Sequence, residues 1–278
     1  MSAPAQAIRP SAGAQSGAWD SLPAASTTLG GVVQQWWETF VGAFVQGFSR
    51  TGPLAVPPSE LALVLGVAAA LCVVPVLWRF FGRFVTIVHE LGHAFAGLAT
   101  GMRVTGITLR FDQGGTTHGV GRGRAVWFGF WGYPSPAVVG AVLVWASAEG
   151  WGRAALSVSV VLLALVFLFI RNLAGVLILA GALAAVVAVV VAVPPDVQGH
   201  LTLAVGLALV LGAARDWWNV VTVHTGRRHE LGSSDAYILA HKTGVPSAVW
   251  LFAFAAVIVL AGVASWAALA GAVRTVGA

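Results

Sequence analysis

Residues 84–98 read FVTIVHELGHAFAGL and place three ionisable side chains inside an apolar run. Each ionisable residue at the centre of a membrane helix costs about 2.5–3.5 kcal/mol, so such residues usually serve a function. Residues four apart lie on one face of a helix, and two imidazoles so placed reach one Zn²⁺ at about 2.0–2.1 Å. The spacing therefore predicts that His89 and His93 bind a zinc ion.

Glu90 follows the first histidine and does not share the face of the helix that carries the two imidazoles. In an HExxH helix, a carboxylate at this position acts as general base on the water that the metal activates. It then delivers the proton to the leaving amine. We predict that Glu90 is the catalytic base; the alternative is a polar cluster that only helps helices to pack.

The composition of the 278-residue chain indicates a membrane protein. Hydrophobic residues make up 58% and charged residues 9%, too little charge to cover a soluble domain. The net charge of +5 is spread over short loops, which suits orientation in a bilayer better than binding of nucleic acid. We therefore predict an all-α polytopic bundle that contacts membrane lipid and no nucleic acid.

Several apolar runs are long enough, at about 20 residues, to cross the hydrocarbon core. The predicted spans are residues 60–80, 84–101, 126–147, 154–171, 173–193, 201–222 and 247–271. No loop separates the two spans that meet at 171–172, so the count is six or seven. Polar segments at 102–124 and 223–246 interrupt the series. The Gly and Pro residues of 132–136 are expected to kink or loosen the third span.

The chain before the first span falls into two segments of different composition. Residues 1–30 are rich in Ala, Ser, Gly and Pro, which predicts a disordered tail without a cleavable signal. Residues 31–50 repeat apolar positions such as Trp36 and Trp37 at helical spacing. This pattern predicts an amphipathic helix, lying in the membrane interface or packed against the bundle. Residues 58–278 are predicted to form one membrane domain.

The distribution of Lys and Arg predicts the orientation of the bundle. With seven spans, ten basic residues, Arg110 among them, fall on the side of the N-terminus, and four, including Arg79 and Arg83, fall on the other side. The positive-inside rule then places the N-terminus in the cytoplasm.

A catalytic zinc needs a third protein ligand, for which the sequence offers two aspartates. Along their helices, His93 and Asp216 lie about 12 Å and about 9 Å from the same membrane face. This depth favours Asp216, whereas Asp235 would need its loop to dip inward. An aspartate that does not bind the metal is expected to have a structural role instead. For Asp216 this role is an ion pair with Arg215, and for Asp235 it is the capping of a helix. The remaining histidines are expected to be solvated: His118, His200, His224, His229 and His241.

Residues 103–120 alternate apolar side chains with Thr and Gly, and the glycines at 114–115 can form the turn of a hairpin. A strand edge beside the metal would hold a substrate in the extended form that cleavage requires. Val104, Ile107 and Leu109 are therefore predicted to bind substrate. The alternative is a surface hairpin with no role in substrate binding.

The stretch FVTIVHELGHAFAGLATGMRVTGITL, residues 84–109, resembles the site-2 protease clan of the M50 family, and specifically its compact M50B-like bacterial branch. The motifs GYPSP at 132–136, ARD at 214–216 and SDA at 234–236 also resemble that branch. The resemblance implies a helical bundle in a bacterial plasma membrane around a buried zinc. It further implies hydrolysis of peptide bonds in or near the membrane-spanning segments of a membrane-protein substrate. The N-P-D-G or L-D-G motif, which usually supplies the third ligand of this clan, is absent.

Two other interpretations stay open at this point. The chain could keep zinc for structure or transport, or it could be a catalytically silent relative that binds client helices. A transporter should show paired interrupted helices with charges on both halves, whereas the ionisable residues here cluster around one site. Asn172 and Asn219 are expected either to support the metal site or substrate, or to join neighbouring helices.

Overall fold

The computed structural model describes residues 29–121 and 124–274. The chain divides into two compact units, residues 1–38 and 39–278. Within the first unit, the described residues 29–38 are helical. The tail predicted at 1–30 therefore lies almost entirely outside the described residues.

Helices and one β-hairpin make up the described chain. The elements are α1 (Leu29–Gly47), α2 (Pro58–Val73), α3 (Pro75–Ala99), β1 (Arg103–Leu109), β2 (Gly115–Val120), α4 (Ala125–Phe130), α5 (Pro134–Ala148), α6 (Gly152–Val166), α7 (Leu173–Ala192), α8 (Pro195–Thr225), a 3-10 helix (Arg228–Ser233), α9 (Asp235–Thr243) and α10 (Ser247–Arg274). This order confirms the predicted all-α bundle with a small extended hairpin after the HExxH helix. α1 is helical where the amphipathic helix was expected, and its position in the membrane interface stays a prediction.

Three described helices, α7, α8 and α10, are long and apolar enough to cross a membrane. A fourth span is possible if α2 and α3 are counted as one bent unit, and α5 and α6 are apolar but shorter. Together these make six apolar helical segments, which agrees roughly with the six or seven expected.

The break between α2 and α3 lies at Val74, not at residues 81–83 as the sequence predicted. The two helices meet at an angle of 88°. Pro75 has no N–H to continue α2, but it suits the first turn of a new helix. α3 therefore begins several residues earlier than expected and carries the HExxH motif in its second half.

α5 packs against α8 and α10 in the centre of the bundle. Two glycines allow this close approach: a Cβ at Gly206 would lie 2.8 Å from the carbonyl oxygen of Gly140, and a Cβ at Gly140 would also clash. Small residues let membrane helices come close enough for van der Waals packing. The buried Val144 and Leu203 fill the layer beside this contact. The crossing fixes α5, which begins beside the face of α3 that carries His89 and His93.

The hairpin folds back along α3. β1 and β2 pair antiparallel, and Arg110 N donates to Gly114 O across the turn, at 2.8 Å. Gln113 has φ of 68°, so the turn lies just before the glycine pair that was expected to form it. Gln113 Nε2 donates to Trp78 O (3.2 Å) and Thr86 Oγ1 donates to Gln113 O (3.0 Å). These bonds hold the hairpin tip against the first half of α3.

The position of the tip corrects the orientation argument at one point. The sequence count placed Arg83 and Arg110 on opposite sides of the membrane. Arg83 Nε donates to the carbonyl of Phe111 at 3.1 Å, so the two arginines lie at the same level. The polar segment at 102–124 was expected to stay outside the bundle, whereas its hairpin returns along α3. Moving Arg110 leaves nine basic residues against five, so a cytoplasmic N-terminus stays the prediction.

β1 does not offer the free edge that the sequence predicted. On the side away from β2, Ile107 N donates to Phe169 O (2.7 Å) and Arg171 N donates to Ile107 O (3.0 Å). The Asn172 side chain then accepts from Leu109 N (3.1 Å) and donates to Leu109 O (2.7 Å). The short turn between α6 and α7 thus pairs with β1 as a third strand would.

Ile107 and Leu109 therefore lack the free outer edge on which their predicted role in substrate binding depended, whereas for Val104 that role stays a prediction. The side chains of Ile107 and Leu109 are only 1% and 2% exposed, in a core formed with α6 and α7. The sequence could not reveal this, because the partner segment lies about 60 residues further along the chain and forms only one isolated β-bridge.

We predict that Asn172→Ala loosens the hairpin. The change leaves a partly buried N–H and C=O of Leu109 without partners, which costs about 1–3 kcal/mol for each group. In detergent, limited trypsin digestion should cut at Arg110 earlier than in the wild type. Asn219→Ala is the control, because its side chain accepts from Arg227 and does not contact the hairpin. Equal cleavage rates in Asn172→Ala and the wild type would contradict the proposed clamp.

Candidate metal centre

The two histidines of the motif converge as the helical spacing requires. His89 and His93 lie one turn apart on α3, and their Nε2 atoms are 3.2 Å from each other. His93 is 6% exposed. Two imidazole nitrogens at this separation can contact the same ion.

The tautomer of His93 is fixed by its surroundings. Its Nδ1 lies 2.7 Å from the carbonyl oxygen of Phe128, and a carbonyl can only accept, so Nδ1 carries the proton. The ring also stacks on the Phe128 ring, with centroids 5.3 Å apart. A hydrogen bond of this kind orients a metal-binding histidine and leaves Nε2 as a lone-pair donor.

Asp235 completes the group. It is the first residue of α9, and its Oδ2 lies 3.3 Å from Nε2 of both His89 and His93. Among the described residues, these three form the one cluster of His, Cys, Asp or Glu that could hold a metal. Oδ2 is buried and faces the two imidazole nitrogens.

The three ligand atoms fit a tetrahedral ion. Ligands about 2.0–2.1 Å from a tetrahedral centre are separated from each other by about 3.3–3.4 Å. The observed separations are 3.2, 3.3 and 3.3 Å. Three such lone-pair atoms at these distances repel one another unless a proton or a metal ion lies between them. Two imidazoles and one carboxylate, with a fourth position open, form a donor set of the kind that catalytic zinc sites use.

The ionisation of Asp235 agrees with this assignment. Burial alone would raise the pKa of its carboxyl group, but His93 and His89, in their protonated forms when no metal is bound, lower it further than burial raises it. The net shift is below the ordinary value for aspartate. Asp235 is therefore a carboxylate at neutral pH, the form that binds metals.

This geometry favours Asp235 over Asp216, reversing the preference drawn from depth. Asp216 lies on α8 and does not belong to the three-residue group. The pairing of Asp216 with Arg215 is also not seen: the Arg215 guanidinium lies 4.4 Å from the centre of the Trp78 ring. The polar loop was expected to stay outside the bundle. Instead the loop folds inward, as a 3-10 helix followed by α9.

Packing at the start of α9 holds the aspartate in place. Ala236 and Leu239 are fully buried against Phe254 of α10. Ser234 precedes α9, and its hydroxyl lies 2.8 Å from Nε2 of His224 and makes no capping bond. His224 was expected to be solvated, and this hydrogen bond instead ties the end of α8 to the residue before Asp235.

Glu90 lies beside the group in a buried position, 4% exposed. The hydroxyl of Thr117 on β2 is 2.7 Å from its Oε2 and 3.0 Å from its main-chain oxygen. Gly115 lies so close that a Cβ at that position would clash with the Glu90 carboxylate. The hairpin therefore orients the carboxylate that the sequence identified as the base.

Gly132, which lies between α4 and α5, faces the imidazoles of His89 and His93. A Cβ at this position would lie 2.5 Å from Nε2 of His93 and 2.6 Å from Nε2 of His89. Tyr133 then packs edge-on against His89, with ring centroids 4.8 Å apart, and Pro134 begins α5. The glycine and prolines were expected to kink or loosen a span. They break it between α4 and α5, and the break leaves room in front of the imidazoles.

A sequence model of the Peptidase M50B-like family matches residues 62–265. The chain belongs to this family. No curated protein and no solved structure matches it. The M50B-like match contains the two histidines, Glu90 and Asp235, and therefore the whole candidate metal centre. Membership of a peptidase family, together with the apolar helices, supports an integral membrane peptidase.

We predict that Asp235, and not Asp216, is needed to retain metal. Asp235→Ala removes one of the three ligand atoms, so zinc in the purified protein should fall from about one ion per chain to near zero. Asp216→Ala should keep most of its zinc. Atomic emission on detergent-purified protein measures both contents. Loss of zinc in Asp216→Ala, with zinc retained in Asp235→Ala, would instead favour Asp216 as the third ligand.

We also predict that Gly132→Ala weakens metal binding without unfolding the chain. The added methyl group would enter the space in front of the two Nε2 atoms. Zinc affinity, measured by competition with a chelating dye, should fall by about 10-fold or more. Gly66→Ala is the matched control, because a Cβ at that position meets no atom within 4 Å. Wild-type affinity in Gly132→Ala would show that the glycine does not limit this space.

Proposed function

We propose that the protein is a zinc-dependent intramembrane endopeptidase that cleaves peptide bonds in or near membrane-spanning segments. The observation that carries the proposal is the triangle of His89, His93 and Asp235, with the buried carboxylate of Glu90 beside it. The family match supports the reaction class. A protein that kept the metal only for structure or transport would have no need of Glu90.

A zinc ion held by these three residues would act as a Lewis acid on the scissile carbonyl and on the attacking water. Glu90 is proposed to accept a proton from that water and to deliver it to the departing amine. Thr117 holds one oxygen of Glu90, which leaves the other oxygen, Oε1, for proton transfer. His93 keeps its proton on Nδ1, bound to Phe128 O, so its Nε2 stays a metal ligand throughout.

The substrate is proposed to bind at the outer edge of β2 rather than at β1. β1 is paired with β2 on one side and with the α6–α7 turn on the other. Within the described residues, no strand pairs with the outer edge of β2. A peptide added there would be extended, as cleavage requires. Because Gly115 and Thr117 both contact Glu90, this edge leads directly to the base.

We expect Glu90→Gln to keep zinc and to lose cleavage. Glutamine preserves the shape of the side chain but cannot accept the proton, so turnover should fall by about 10²–10⁴-fold. New peptide termini can be compared by mass spectrometry in membranes of cells that express the wild type or the variant. This comparison does not require the substrate to be known.

The matched control is Glu60→Gln, which makes the same chemical change at an exposed residue of α2. It should give the same termini as the wild type. Termini that are identical in Glu90→Gln and wild type would contradict a role for Glu90 in proteolysis.

A further inference from the structure

A pocket lies between the first half of α3 and the tip of the hairpin. Its volume is about 670 Å³, and it is lined by Arg79, Phe80, Arg83, Phe111, Asp112 and Gln113. None of these residues contributes to the metal centre. The pocket is open to the surroundings and combines two guanidinium groups with two aromatic rings.

The two arginines leave unused hydrogen-bond donors in this pocket. They lie four residues apart, on one face of α3. Arg83 donates through Nε to Phe111 O at 3.1 Å, and its guanidinium lies 5.6 Å and 5.7 Å from the ring centres of Phe80 and Phe111. Arg79 is exposed and makes no hydrogen bond or ion pair with any described residue. Guanidinium groups in this state suit a phosphate.

The one acidic residue of the pocket does not cancel this charge. Asp112 forms an ion pair with Arg110 and accepts a hydrogen bond from Gly114 N at 3.1 Å. Its negative charge is thus matched within the hairpin tip. The charges of Arg79 and Arg83 remain, so the pocket carries two unmatched positive charges.

The aromatic rings indicate where the phosphate comes from. Phe80 and Phe111 are 66% and 54% exposed beside the arginines. Exposed rings next to basic side chains are typical of the boundary between headgroups and acyl chains. A soluble phosphate would leave this apolar surface uncovered, whereas the acyl chains of a lipid would cover it.

We propose that this pocket binds the phosphate of an anionic phospholipid, with the acyl chains against Phe80 and Phe111. The site does not depend on the proposed proteolysis. It would nevertheless influence the metal centre, because Gln113 fixes the hairpin tip to α3 and the same hairpin orients Glu90 through Thr117. Arg83 precedes His89 by six residues, about 9 Å along the helix, so a headgroup there would place the metal below the membrane surface.

The test uses the full-length protein in vesicles of phosphatidylcholine containing a small fraction of fluorescent phosphatidylglycerol. Binding is measured as energy transfer from the protein's tryptophans to the labelled lipid. Arg79→Gln/Arg83→Gln should weaken the selective binding by about tenfold or more, because both positive charges proposed to face the phosphate are removed. Arg79→Lys/Arg83→Lys keeps both charges but loses the same Arg83 bond to Phe111, so it should bind better than the glutamine variant, which separates the effect of charge from that of the lost contact.

The matched control is Arg103→Gln/Lys242→Gln, which removes two exposed positive charges outside the pocket. It should bind the anionic lipid as the wild type does. Unchanged binding in Arg79→Gln/Arg83→Gln, or an equal loss in the control, would overturn the proposal. Complete displacement of the lipid by inorganic phosphate at millimolar concentration would also overturn it, because the site would then be one for a free anion.

Discussion

Three atoms that can bind a metal ion meet inside this bundle. The Nε2 atoms of His89 and His93 and one oxygen of Asp235 are separated by 3.2–3.3 Å. In surroundings of low polarity such an arrangement is unfavourable unless a cation occupies the centre. Zinc binding and folding are therefore expected to be coupled, because the ion would join α3 to α9 across the bundle.

The elements around this group act as supports for it. α9 brings the aspartate inward because its apolar face packs on α10, and the break before α5 clears the space in front of the imidazoles. The hairpin approaches from another side and holds Glu90 through Thr117. Each support is a short or irregular segment, and each is fixed by contacts with a long apolar helix.

The hairpin also connects the site with the rest of the molecule. Its β1 strand is held by the α6–α7 turn through Asn172, and its tip is held by α3 near the arginine pocket. The outer edge of β2 is the one side of this small sheet with no strand partner among the described residues. Substrate, lipid and catalytic carboxylate are thus proposed to meet on one structural unit.

The sequence by itself determined the features that depend on neighbours along the chain. Helical spacing put His89 and His93 on one face, the acidic residue between them identified Glu90, and apolar runs predicted the membrane helices. The alternation of residues 103–120 predicted the hairpin. Each of these follows from backbone geometry within a few residues.

Only the tertiary structure favoured Asp235 over Asp216, paired the outer edge of β1 and brought Arg83 beside the hairpin tip. Asp235 lies more than 140 residues from His93 in sequence, and its position depends on how a polar loop packs between helices. Depth estimates treat each helix as independent and each loop as external. They fail where a loop lowers its free energy by burying an apolar face inside the bundle, as α9 does here.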